Sequence, residues 1–391
     1  MTAPFTMSGS HNKGPLTNLK VLDLSRVLAG PWSTQMLGDL GADVIKIERP
    51  HSGDDTRHWG PPFITNADGT QGDAAYFMSA NRSKESRAID ITTPQGQDQI
   101  RALVQECDIL VENYKVGGLK KYGLDYDSLK AINLRLIYCS ITGFGQEGPY
   151  AHRAGYDFMI QGMSGLMSIT GEHHSIAGTS PQKVGVAISD LVTGMYATVG
   201  ILSALHHRHM TGQGQYIDLA LLDCQLSMLA NQNSNYLIGG QAPQRMGNAH
   251  PNIVPYQTFE TADSHIILAI GNDHQFAKFC DLIDQPQWCE ADYYQRNAQR
   301  VEKRETLISD LIPIIRLKPN DYWLTECEAR HIPCSPINTI EQAFNNPQIK
   351  HRQMLHMMSR DDGTQIPTVA NPLKFSETPL DYQRPPPKLE E

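Results

Sequence analysis

Asp190 is the residue of this chain whose type and position are best suited to covalent chemistry. It ends a small, β-rich run at 184–190 and opens a long apolar stretch at 191–205 that predicts a helix. We expect Asp190 to be the N-cap of that helix and to stay ionised, because unpaired N–H groups and the positive end of the helix dipole lie nearby. An ionised, oriented carboxylate is a candidate nucleophile towards an activated carbonyl. Aspartate is also a common N-cap for purely structural reasons. Whether Asp190 is a nucleophile or only a cap must therefore be decided from the rest of the chain.

The elements that would position Asp190 begin with a repeating pattern in the first half of the chain. Short β-branched runs alternate with helical patterns, which indicates parallel βαβ units with right-handed crossovers. The predicted strands are 19–24, 43–48, 86–91, 109–113 and 136–141, and the predicted helices include 32–40 and 94–106. Ligands of such sheets bind beyond the carboxyl ends of the strands. The residues expected along one crevice are 25–29, Arg49, Asn113, Tyr114 and 142–144.

The second half of the chain has a different pattern. A hairpin-like pair of runs at 254–260 and 265–270 is followed by several helical patterns, which is typical of a smaller α+β domain. The predicted fold is therefore α/β, with a doubly wound parallel-sheet large domain and an inserted small domain. The expected bounds are 15–210 for the first part of the large, Rossmann-like domain, 225–325 for the small domain, and 326–391 for a linker and a segment that returns to the large domain. The beginning of the chain predicts a flexible arm, and its end, 379–391, predicts an extended and poorly packed tail.

Composition excludes several classes of function. A net charge of -9 without any block of Lys or Arg argues against a nucleic-acid surface. The sequence predicts no apolar run long enough to span a bilayer, so we expect no membrane segment. The seven cysteines are odd in number and scattered, which favours thiols in a reducing cytoplasm over a disulfide frame or a metal site.

The loop after the first strand argues against a nicotinamide cofactor. A strand-helix-strand unit that ends in Glu48 is similar to a dinucleotide-binding fold, but it lacks the G-x-G-x-x-G that lets backbone approach a pyrophosphate. Arg26, Leu28 and Pro31 would crowd that approach. The chain also contains no Walker loop, H-E-x-x-H or G-x-S-x-G segment, so any chemistry must use dispersed side chains.

Several ordered segments together resemble the class III coenzyme A transferases, a family that also contains formyl-CoA transferase, carnitine CoA-transferase and α-methylacyl-CoA racemase. The matching segments are 21–31, 37–50, 53–57, 111–114, 143–149, 211–215, 247–251 and 254–257. The resemblance covers about residues 15–385. It implies an enzyme that transfers coenzyme A between carboxylic acids, with acyl-CoA as a substrate and without ATP, metal or redox cofactor. It also implies an interlocked homodimer.

Carried over by position, the resemblance makes Asp190 the catalytic aspartate. The positions implied to contact coenzyme A are Leu28, Ala29, Arg49, Ile89, Asn113, Tyr114, Lys121, Ala154, Gly155, Tyr156 and Asp157. The residue types agree in part, since Arg49 and Lys121 suit phosphate groups and Asn113 has donors and acceptors for amides. Taken singly, each of these cations is more often an ordinary surface charge, so the assignment rests on their joint register.

Tyr156 separates two activities within the family. The racemase branch has a histidine at this position, because moving an α-proton needs a base on one face and an acid on the other. A tyrosine, with a pKa of about 10, is a poor base at neutral pH. We therefore favour transfer over an isomerase of the same fold, and a non-catalytic CoA-binding protein remains the other alternative.

The acid substrates are suggested by two segments, 153–157 and 245–257, that look most like the succinyl-CoA:glutarate CoA-transferases. A dicarboxylate keeps one free carboxylate, whose burial requires a cation. Arg26 is the first candidate and Arg153 the second, while Arg57 is interpreted as a possible surface residue of the 53–57 turn. The same resemblance places Asn248 and His250 among the acid-binding residues. Two departures from formyl-CoA transferase are Leu28, where it has glutamine, and 249–253, where it has a run of glycines.

Overall fold

The chain forms two compact units in a computed structural model, which describes residues 14–290, 294–380, 382 and 384–389. The first unit runs to Leu166, resumes over Lys183–Gly240, and takes up the chain again from Pro347. The second unit is formed by Met167–Gln182 and Gln241–Asn346. The bounds of this second unit differ from the small domain predicted at 225–325. Residues 225–240 belong to the first unit, whereas 326–346, predicted as part of the linker, and the segment 167–182 belong to the second. Residues 1–13 of the predicted arm lie outside the described residues.

The first unit contains the large sheet and the helices that cover it. Its strands are β1 (Lys20–Asp23), β2 (Asp43–Glu48), β3 (Phe63–Thr65), β4 (Gln71–Ala74), β5 (Lys84–Ala88), β6 (Ile109–Glu112), β7 (Ile137–Thr142), β8 (Tyr216–Ala220), β12 (Leu355–Ser359) and β13 (Gln365–Val369). Its helices are α1 (Ala29–Asp39), α2 (Ala75–Ala80), α3 (Pro94–Glu106), α4 (Tyr126–Lys130), α5 (Asp157–Met163), α7 (Ile188–Thr211), α8 (Leu221–Met228), α9 (Asn231–Gly239) and α16 (Pro347–His351). Helix α6 (Leu166–Ile169) lies at the boundary between the two units.

The large sheet has six parallel strands in the order β5-β2-β1-β6-β7-β8. This order confirms the predicted doubly wound fold, because the chain builds outwards from β1 in one direction and then from β6 in the other. The reversal lies between β1 and β6, which are direct neighbours. The loops that leave the carboxyl ends of these two strands therefore flank the expected crevice.

Both faces of the sheet are covered, as the near-continuous apolar strands require. Neighbouring residues of β1 point to opposite faces, so Leu22 packs in a cluster with Ile100 of α3. Val21 packs in a second cluster that contains Leu37 of α1 and Ile201 of α7. The helix that carries Asp190 is thus anchored on the same sheet face as α1.

Helices α1 and α7 approach each other closely at Gly194. A Cβ atom at this position would lie only 2.7 Å from the carbonyl oxygen of Ala29. One turn further along α7, the hydroxyl groups of Thr198 and Ser33 are 3.0 Å apart and buried. The lack of a side chain at Gly194 therefore lets the first turn of α1 lie against α7, one helical turn from Asp190.

Helix α7 corrects one expectation about membranes. By length and composition alone it is long and apolar enough to cross a bilayer, although no such segment was expected from the sequence. Its buried residues, among them Val192, Ala197 and Ile201, pack inside the first unit. A buried apolar face that packs within the unit is the pattern of a core helix.

The second unit is a small α+β structure with its own apolar core. Its strands are β9 (Tyr256–Glu260), β10 (His265–Ala269) and β11 (Cys334–Pro336), and its helices are α10 (Asp273–Leu282), α11 (Gln287–Glu290), α12 (Asn297–Glu302), α13 (Arg304–Ile315), α14 (Asn320–Ala329) and α15 (Ile340–Asn345). The three strands pair antiparallel in the order β11-β10-β9, which confirms the predicted hairpin. Phe276, Phe279 and Trp323 are almost fully buried in its core.

The tail was expected to be poorly packed, and this expectation is wrong for the residues that the structure describes. The carbonyl oxygen of Arg384 accepts a hydrogen bond from the N–H of Ser83 at 2.8 Å. The carbonyl of Pro386 accepts one from Nε of Arg360 at 2.9 Å. A proline-rich segment has few donors of its own, so its carbonyls are free to satisfy cations of the folded unit.

Candidate active site

Asp190 lies in the first turn of α7, but it is not the N-cap. The helix begins two residues earlier, at Ile188, and Ala187 occupies the cap position. The run 184–187 is irregular rather than a strand, so it adds nothing to the sheet. The predicted cap is wrong because the backbone turns into the helix before the acidic side chain is reached. Asp190 is instead the third helical residue and is half-buried.

Asp157 takes the capping role from the neighbouring helix α5. One of its carboxylate oxygens accepts the N–H of Ser189 at 2.7 Å, and the other accepts from Nε2 of Gln161 at 2.7 Å. Gln161 in turn accepts the N–H of Val184 at 2.9 Å. The first turn of α7 is therefore held by α5, and the N–H of Ser189 is not available to a substrate oxyanion. Two of the predicted residues, Asp157 and Asp190, are brought together in this way.

The charge state of Asp190 differs from the expectation. Burial, and then the negative charge of Asp157, raise the pKa of Asp190 to about 7. Among the described residues, no side chain or backbone group donates a hydrogen bond to its carboxylate, and no cation pairs with it. The helix dipole at this position is too weak to offset the desolvation of the carboxylate, so Asp190 is not permanently ionised at neutral pH.

Tyr76 is a site residue that was not predicted from the sequence. Burial raises its pKa to about 12, with further contributions from the negative charges of Asp190, Asp157 and Asp54. Its ring meets the exposed Trp59 edge-on, with centroids 5.3 Å apart. Nothing in the short apolar sequence of α2 marks Tyr76, because its proximity to Asp190 arises only when α2 and α7 are brought together by the fold.

The loop after β1 and the ends of β2 and β6 bring four predicted residues together. The side-chain amide of Asn113 pairs with both backbone groups of Arg26, at 3.0 Å to its N–H and 2.7 Å to its carbonyl. The guanidinium groups of Arg26 and Arg49 share Asp55, at 2.8 and 2.6 Å. Both positive charges act on the hydroxyl group of Tyr114, whose pKa is nevertheless raised, first of all by burial. Both guanidinium groups are more than half exposed, which leaves them accessible to an anion.

The remaining predicted CoA contacts lie in different environments. Ile89 is buried in the core, with its N–H donated to the carbonyl of Glu48. Lys121 lies on a short 3-10 helix with its ammonium group over the ring of Tyr122, at 4.6 Å from the centroid. Gly155 lies against Gly143, where a Cβ on either residue would come within 2.5 Å of the other backbone. This contact holds the segment 154–157 against the end of β7.

A cavity of 370 Å³ lies beside Tyr114, at the carboxyl end of β6 and alongside β7. Glu112 reaches it from the end of β6 and accepts the N–H of Tyr114 at 2.7 Å. Burial raises the pKa of Glu112 to about 7. The wall of the cavity continues through Tyr126, Tyr138 and Tyr216, whose rings lie 5.2 to 5.9 Å apart.

A network of buried ion pairs lies beneath the loop after β1. Lys46 pairs with Asp54 at 2.9 Å, and Lys84 pairs with Asp23 at 3.0 Å, all four side chains being almost fully buried. Burial opposes ionisation of Asp54, but the charge of Lys46 and its hydrogen bond outweigh it and hold the pKa of Asp54 at about 2. Burial also lowers the pKa of Lys84 to about 8, although Asp23 acts against that shift.

Arg57 belongs to the same network, so its interpretation as a surface residue is wrong. Its side chain is 2% exposed and binds Glu48 through two hydrogen bonds of 2.8 and 2.7 Å. It also pairs with Asp73 at 3.0 Å and stacks on Phe77, 3.7 Å from the ring centroid. The polar sequence of the turn 53–57 does not show that Glu48, Asp73 and Phe77 enclose the Arg57 side chain once the chain has folded.

The other predicted acid-binding residues lie in different environments. Arg153 is exposed, with its guanidinium group 4.1 Å from the ring centroid of Tyr150, and Tyr156 is 64% exposed. Asn248 and His250 belong to the second unit. Asn248 donates to the hydroxyl of Thr258 at 3.1 Å. Burial and the nearby charge of Arg304 lower the pKa of His250, which favours a neutral imidazole.

The fold agrees with that of a class of solved α/β proteins. A CAIB/BAIF family protein from Brucella suis is similar to this chain, with a TM-score of 0.83 and 49% sequence identity over 96% of this chain and 97% of that one. The doubly wound α/β fold of this chain is therefore shared with a solved CAIB/BAIF family protein.

Sequence comparison specifies the family. The profile of CoA-transferase family III matches residues 16–391. A succinate–glutarate CoA-transferase of Agrobacterium fabrum is 50% identical over 382 residues, covering 97% of this chain and 94% of that protein. The succinyl-CoA:glutarate CoA-transferase of Homo sapiens is 42% identical over 382 residues, covering 98% of this chain and 85% of that protein. The chain belongs to CoA-transferase family III and is an enzyme of that family.

Proposed function

We propose that this enzyme moves coenzyme A from a dicarboxylyl-CoA, such as succinyl-CoA, to a free carboxylic acid through covalent intermediates on Asp190. The observation that carries the proposal is the half-buried carboxylate of Asp190 on α7, with which no cation pairs among the described residues. The preference for dicarboxylates is supported by the names of two relatives that share 50% and 42% of their residues with this chain.

The proposed reaction begins with attack of the Asp190 carboxylate on the carbonyl carbon of the donor thioester. The thiolate of coenzyme A leaves, and a mixed aspartyl anhydride forms. The thiolate then attacks the aspartyl carbonyl, which releases the donor acid and leaves an aspartyl-CoA thioester. The acceptor carboxylate attacks this thioester to form a second anhydride and free thiolate. The thiolate finally attacks the acceptor carbonyl, which gives the new acyl-CoA and regenerates Asp190.

The environment of Asp190 suits this role. A pKa of about 7 leaves a large fraction of the carboxylate ionised at neutral pH and makes the ionised form more basic than an exposed aspartate. Partial burial also limits the access of water, which would hydrolyse an anhydride. Because each step conserves the energy of an acyl bond, the cycle needs no ATP, metal or redox cofactor, and coenzyme A enters only as part of a substrate.

The substrates are proposed to bind through the exposed arginines and the loops around them. Arg49 and Lys121 would hold the phosphate groups of coenzyme A, with Tyr114 beside them and the pantetheine arm passing residues 28–29. The side-chain amide of Asn113 is already hydrogen-bonded to the backbone of Arg26. We therefore assign to Asn113 the role of shaping the loop after β1, ahead of any role in ligand contact. Arg26 remains the first candidate for the free carboxylate, in competition with Asp55.

We further propose that the enzyme acts as a cytoplasmic homodimer. Large apolar side chains are exposed on α5, α7 and α9, including Phe158 at 57%, Val199 at 60% and Ile238 at 88%. A second copy of the chain would cover such residues, as the family resemblance implies. The seven cysteines are free thiols in the structure, which is consistent with a reducing compartment.

Trapping of the covalent intermediate tests the proposal. The enzyme is incubated with succinyl-CoA and then with hydroxylamine, and the peptide that contains Asp190 is examined by mass spectrometry for conversion to a hydroxamate. We expect this conversion in the wild type and not in Asp190→Asn. A labelled residue other than Asp190 would overturn the nucleophile assignment. Equal kcat/KM for succinyl-CoA and butyryl-CoA would overturn the dicarboxylate preference but leave the transferase reaction intact.

A further inference from the structure

Residues 25–27, which follow β1, are held by side chains rather than by neighbouring backbone. Nζ of Lys46 donates to the carbonyl of Ser25 at 2.8 Å. Asn113 binds both backbone groups of Arg26. The carboxylate of Asp54 accepts the N–H of Val27 at 3.2 and 3.3 Å. Three consecutive residues are therefore fixed by polar groups from the ends of β2 and β6 and from the turn beyond β2.

Val27 adopts a backbone conformation that its side chain disfavours. Its φ is 71°, in the left-handed region that β-branched residues rarely occupy. Such a conformation costs on the order of 1–3 kcal/mol and persists only where surrounding contacts impose it. The contact made by the N–H of Val27 is the one with Asp54.

Asp54 is itself firmly fixed. Its side chain is 1% exposed and pairs with Lys46, which also is 1% exposed. It accepts hydrogen bonds from the N–H and the hydroxyl of Thr56 at 3.0 and 2.8 Å, and its own N–H is donated to Glu48 at 2.8 Å. The Lys46–Asp54 pair therefore holds both ends of the segment 25–27, one at a carbonyl and the other at an N–H.

Residues 25–27 lead into helix α1, which packs beside the turn of α7 that follows Asp190. Residues 28–29 start α1, and the carbonyl of Ala29 lies against Gly194, one turn of α7 beyond Asp190. The negative charges of Asp54 and Asp190 both act on the hydroxyl of Tyr76, so the two carboxylates lie on the same side of the first unit. A change in the conformation of Val27 would move the start of α1 relative to Asp190.

We propose that the buried Lys46–Asp54 pair is a positioning device for the transferase reaction, which holds Val27 in its strained conformation and thereby fixes residues 27–29 opposite Asp190. The inference rests on the proposed function, in which the pantetheine arm of the substrate passes residues 28–29. Asp54 and Lys46 act through the loop and do not themselves contact the reacting atoms.

Paired substitutions test this inference without leaving a buried charge unpaired. Asp54→Asn alone would leave Lys46 without its partner, so the test variant is Lys46→Met with Asp54→Asn. The matched control is Arg82→Met with Asp39→Asn, which removes a second buried pair, of 2.6 Å, from the far end of α1. We expect both variants to lose a similar number of degrees in Tm. Only the test variant should lose kcat, by about 10-fold or more, with KM for succinyl-CoA changed by less than about 3-fold.

Hydrogen exchange supplies a readout that does not depend on activity. The amide of Val27 should exchange at least about 10-fold faster in the test variant than in the wild type or the control, because its acceptor is weakened. Adding Val27→Gly to the test variant should restore part of kcat, since glycine adopts a positive φ without strain.

The outcomes separate this inference from the proposed function. If the wild type forms no aspartyl adduct, the proposed function fails, and unchanged exchange at Val27 would then overturn the positioning role as well. If the wild type is active but the test variant keeps a kcat within about 2-fold of the control, the positioning role alone is overturned. Equal losses of kcat in both variants would also overturn it, because they would show a general effect of removing a buried ion pair.

Discussion

Two groups of acidic residues in the first unit differ in how their charge is balanced. Asp23, Glu48 and Asp54 lie beneath the loop after β1, and each is paired with a buried lysine or arginine. Asp157 and Asp190 lie at the starts of α5 and α7, and no cation pairs with either among the described residues. The pKa of Asp54 is held at about 2, whereas that of Asp190 is raised to about 7.

The comparison shows how burial can serve opposite purposes. A buried carboxylate that is paired and hydrogen-bonded fixes the chain around it, and its oxygens are not available to react. A carboxylate that is partly desolvated without a partner is costly to the fold, and that cost is the usual sign of a group retained for chemistry. The network around Asp54 thus provides the scaffold, and Asp190 is the candidate reagent.

The largest effect is expected at the unpaired carboxylate. Asp190→Asn should reduce kcat by about 10³-fold or more, because an amide cannot replace the carboxylate as nucleophile. The same variant should have a higher Tm than the wild type at pH 8. The raised pKa means that the contribution of Asp190 to stability is complete below its ordinary pKa of 3.8 and is lost as pH rises through about 7. The Tm difference should therefore shrink as pH falls towards 4, and turnover comparable to the wild type would show that Asp190 is not the nucleophile.

Replacing a carboxylate by an amide in the paired group should lower the stability of the protein instead of raising it. Glu48→Gln leaves Arg57 buried without an anionic partner on that side and should cost about 3–5 kcal/mol of unfolding free energy. Burial acts against ionisation of Glu48, but Arg57 lowers the pKa of Glu48 overall. This contribution to stability is thus present above the ordinary pKa of 4.5 and is lost as pH falls below it. Thermal unfolding at pH 7 and at pH 4 measures both predictions, and a gain in Tm at pH 7 would contradict them.

A smaller effect is expected where the start of α1 meets α7. Gly194→Ala places a Cβ 2.7 Å from the carbonyl of Ala29, and the resulting shift should cost about 1–3 kcal/mol and lower kcat. Gly200→Ala in the same helix is the control. Its Cβ would meet only Ile217, at 3.6 Å, so the variant should be unchanged or stabilised by up to about 1 kcal/mol. Equal behaviour of the two variants in Tm and kcat would disprove the close contact.

The smallest effect concerns the pH dependence of catalysis. In the wild type, kcat/KM should rise with pH as Asp190 loses its proton near pH 7. Asp157→Asn removes one negative charge but keeps an oxygen for the N–H of Ser189. The acidic limb of the pH profile, where kcat/KM rises with pH, should therefore move to lower pH. Asp223→Asn, in the first turn of α8, should leave the limb in place. A limb unchanged by Asp157→Asn would mean that burial alone sets the pKa of Asp190.

The sheet could be predicted from the sequence where strands are apolar. The runs that became β1, β2, β6 and β7 are β-branched and buried, and their spacing by helices indicated parallel connections. Strand β5 was placed at 86–91 instead of Lys84–Ala88. Its first residue, Lys84, is charged and yet only 2% exposed, because Asp23 from a distant strand pairs with it. Such a strand has no apolar pattern to detect.

The site was predictable only in part for the same reason. Asp190 was identified from its place before a long apolar helix and from the family resemblance. The roles of Arg57 and Tyr76 depend on Glu48 and on Asp190, which are brought to them by folding. The capping of α7 by Asp157 likewise joins residues from two helices. Local sequence therefore marks a candidate nucleophile but not the groups that set its charge.

The carbonyl of Pro387 accepts a hydrogen bond, at 3.2 Å, from an arginine 330 residues earlier in the chain, Arg57. During synthesis, Arg57 can pair with Glu48 almost at once, but this carbonyl reaches it only after the intervening residues have been translated. At a bacterial or eukaryotic rate of 5–20 residues per second, that interval is about 20–60 s. For that time a nascent chain carries Arg57 without the tail, whereas Arg360 is followed after only 26 residues by its own tail partner, Pro386. The contact between Arg57 and the tail is thus a late step of maturation, which forms well after the pairing of Arg57 with Glu48.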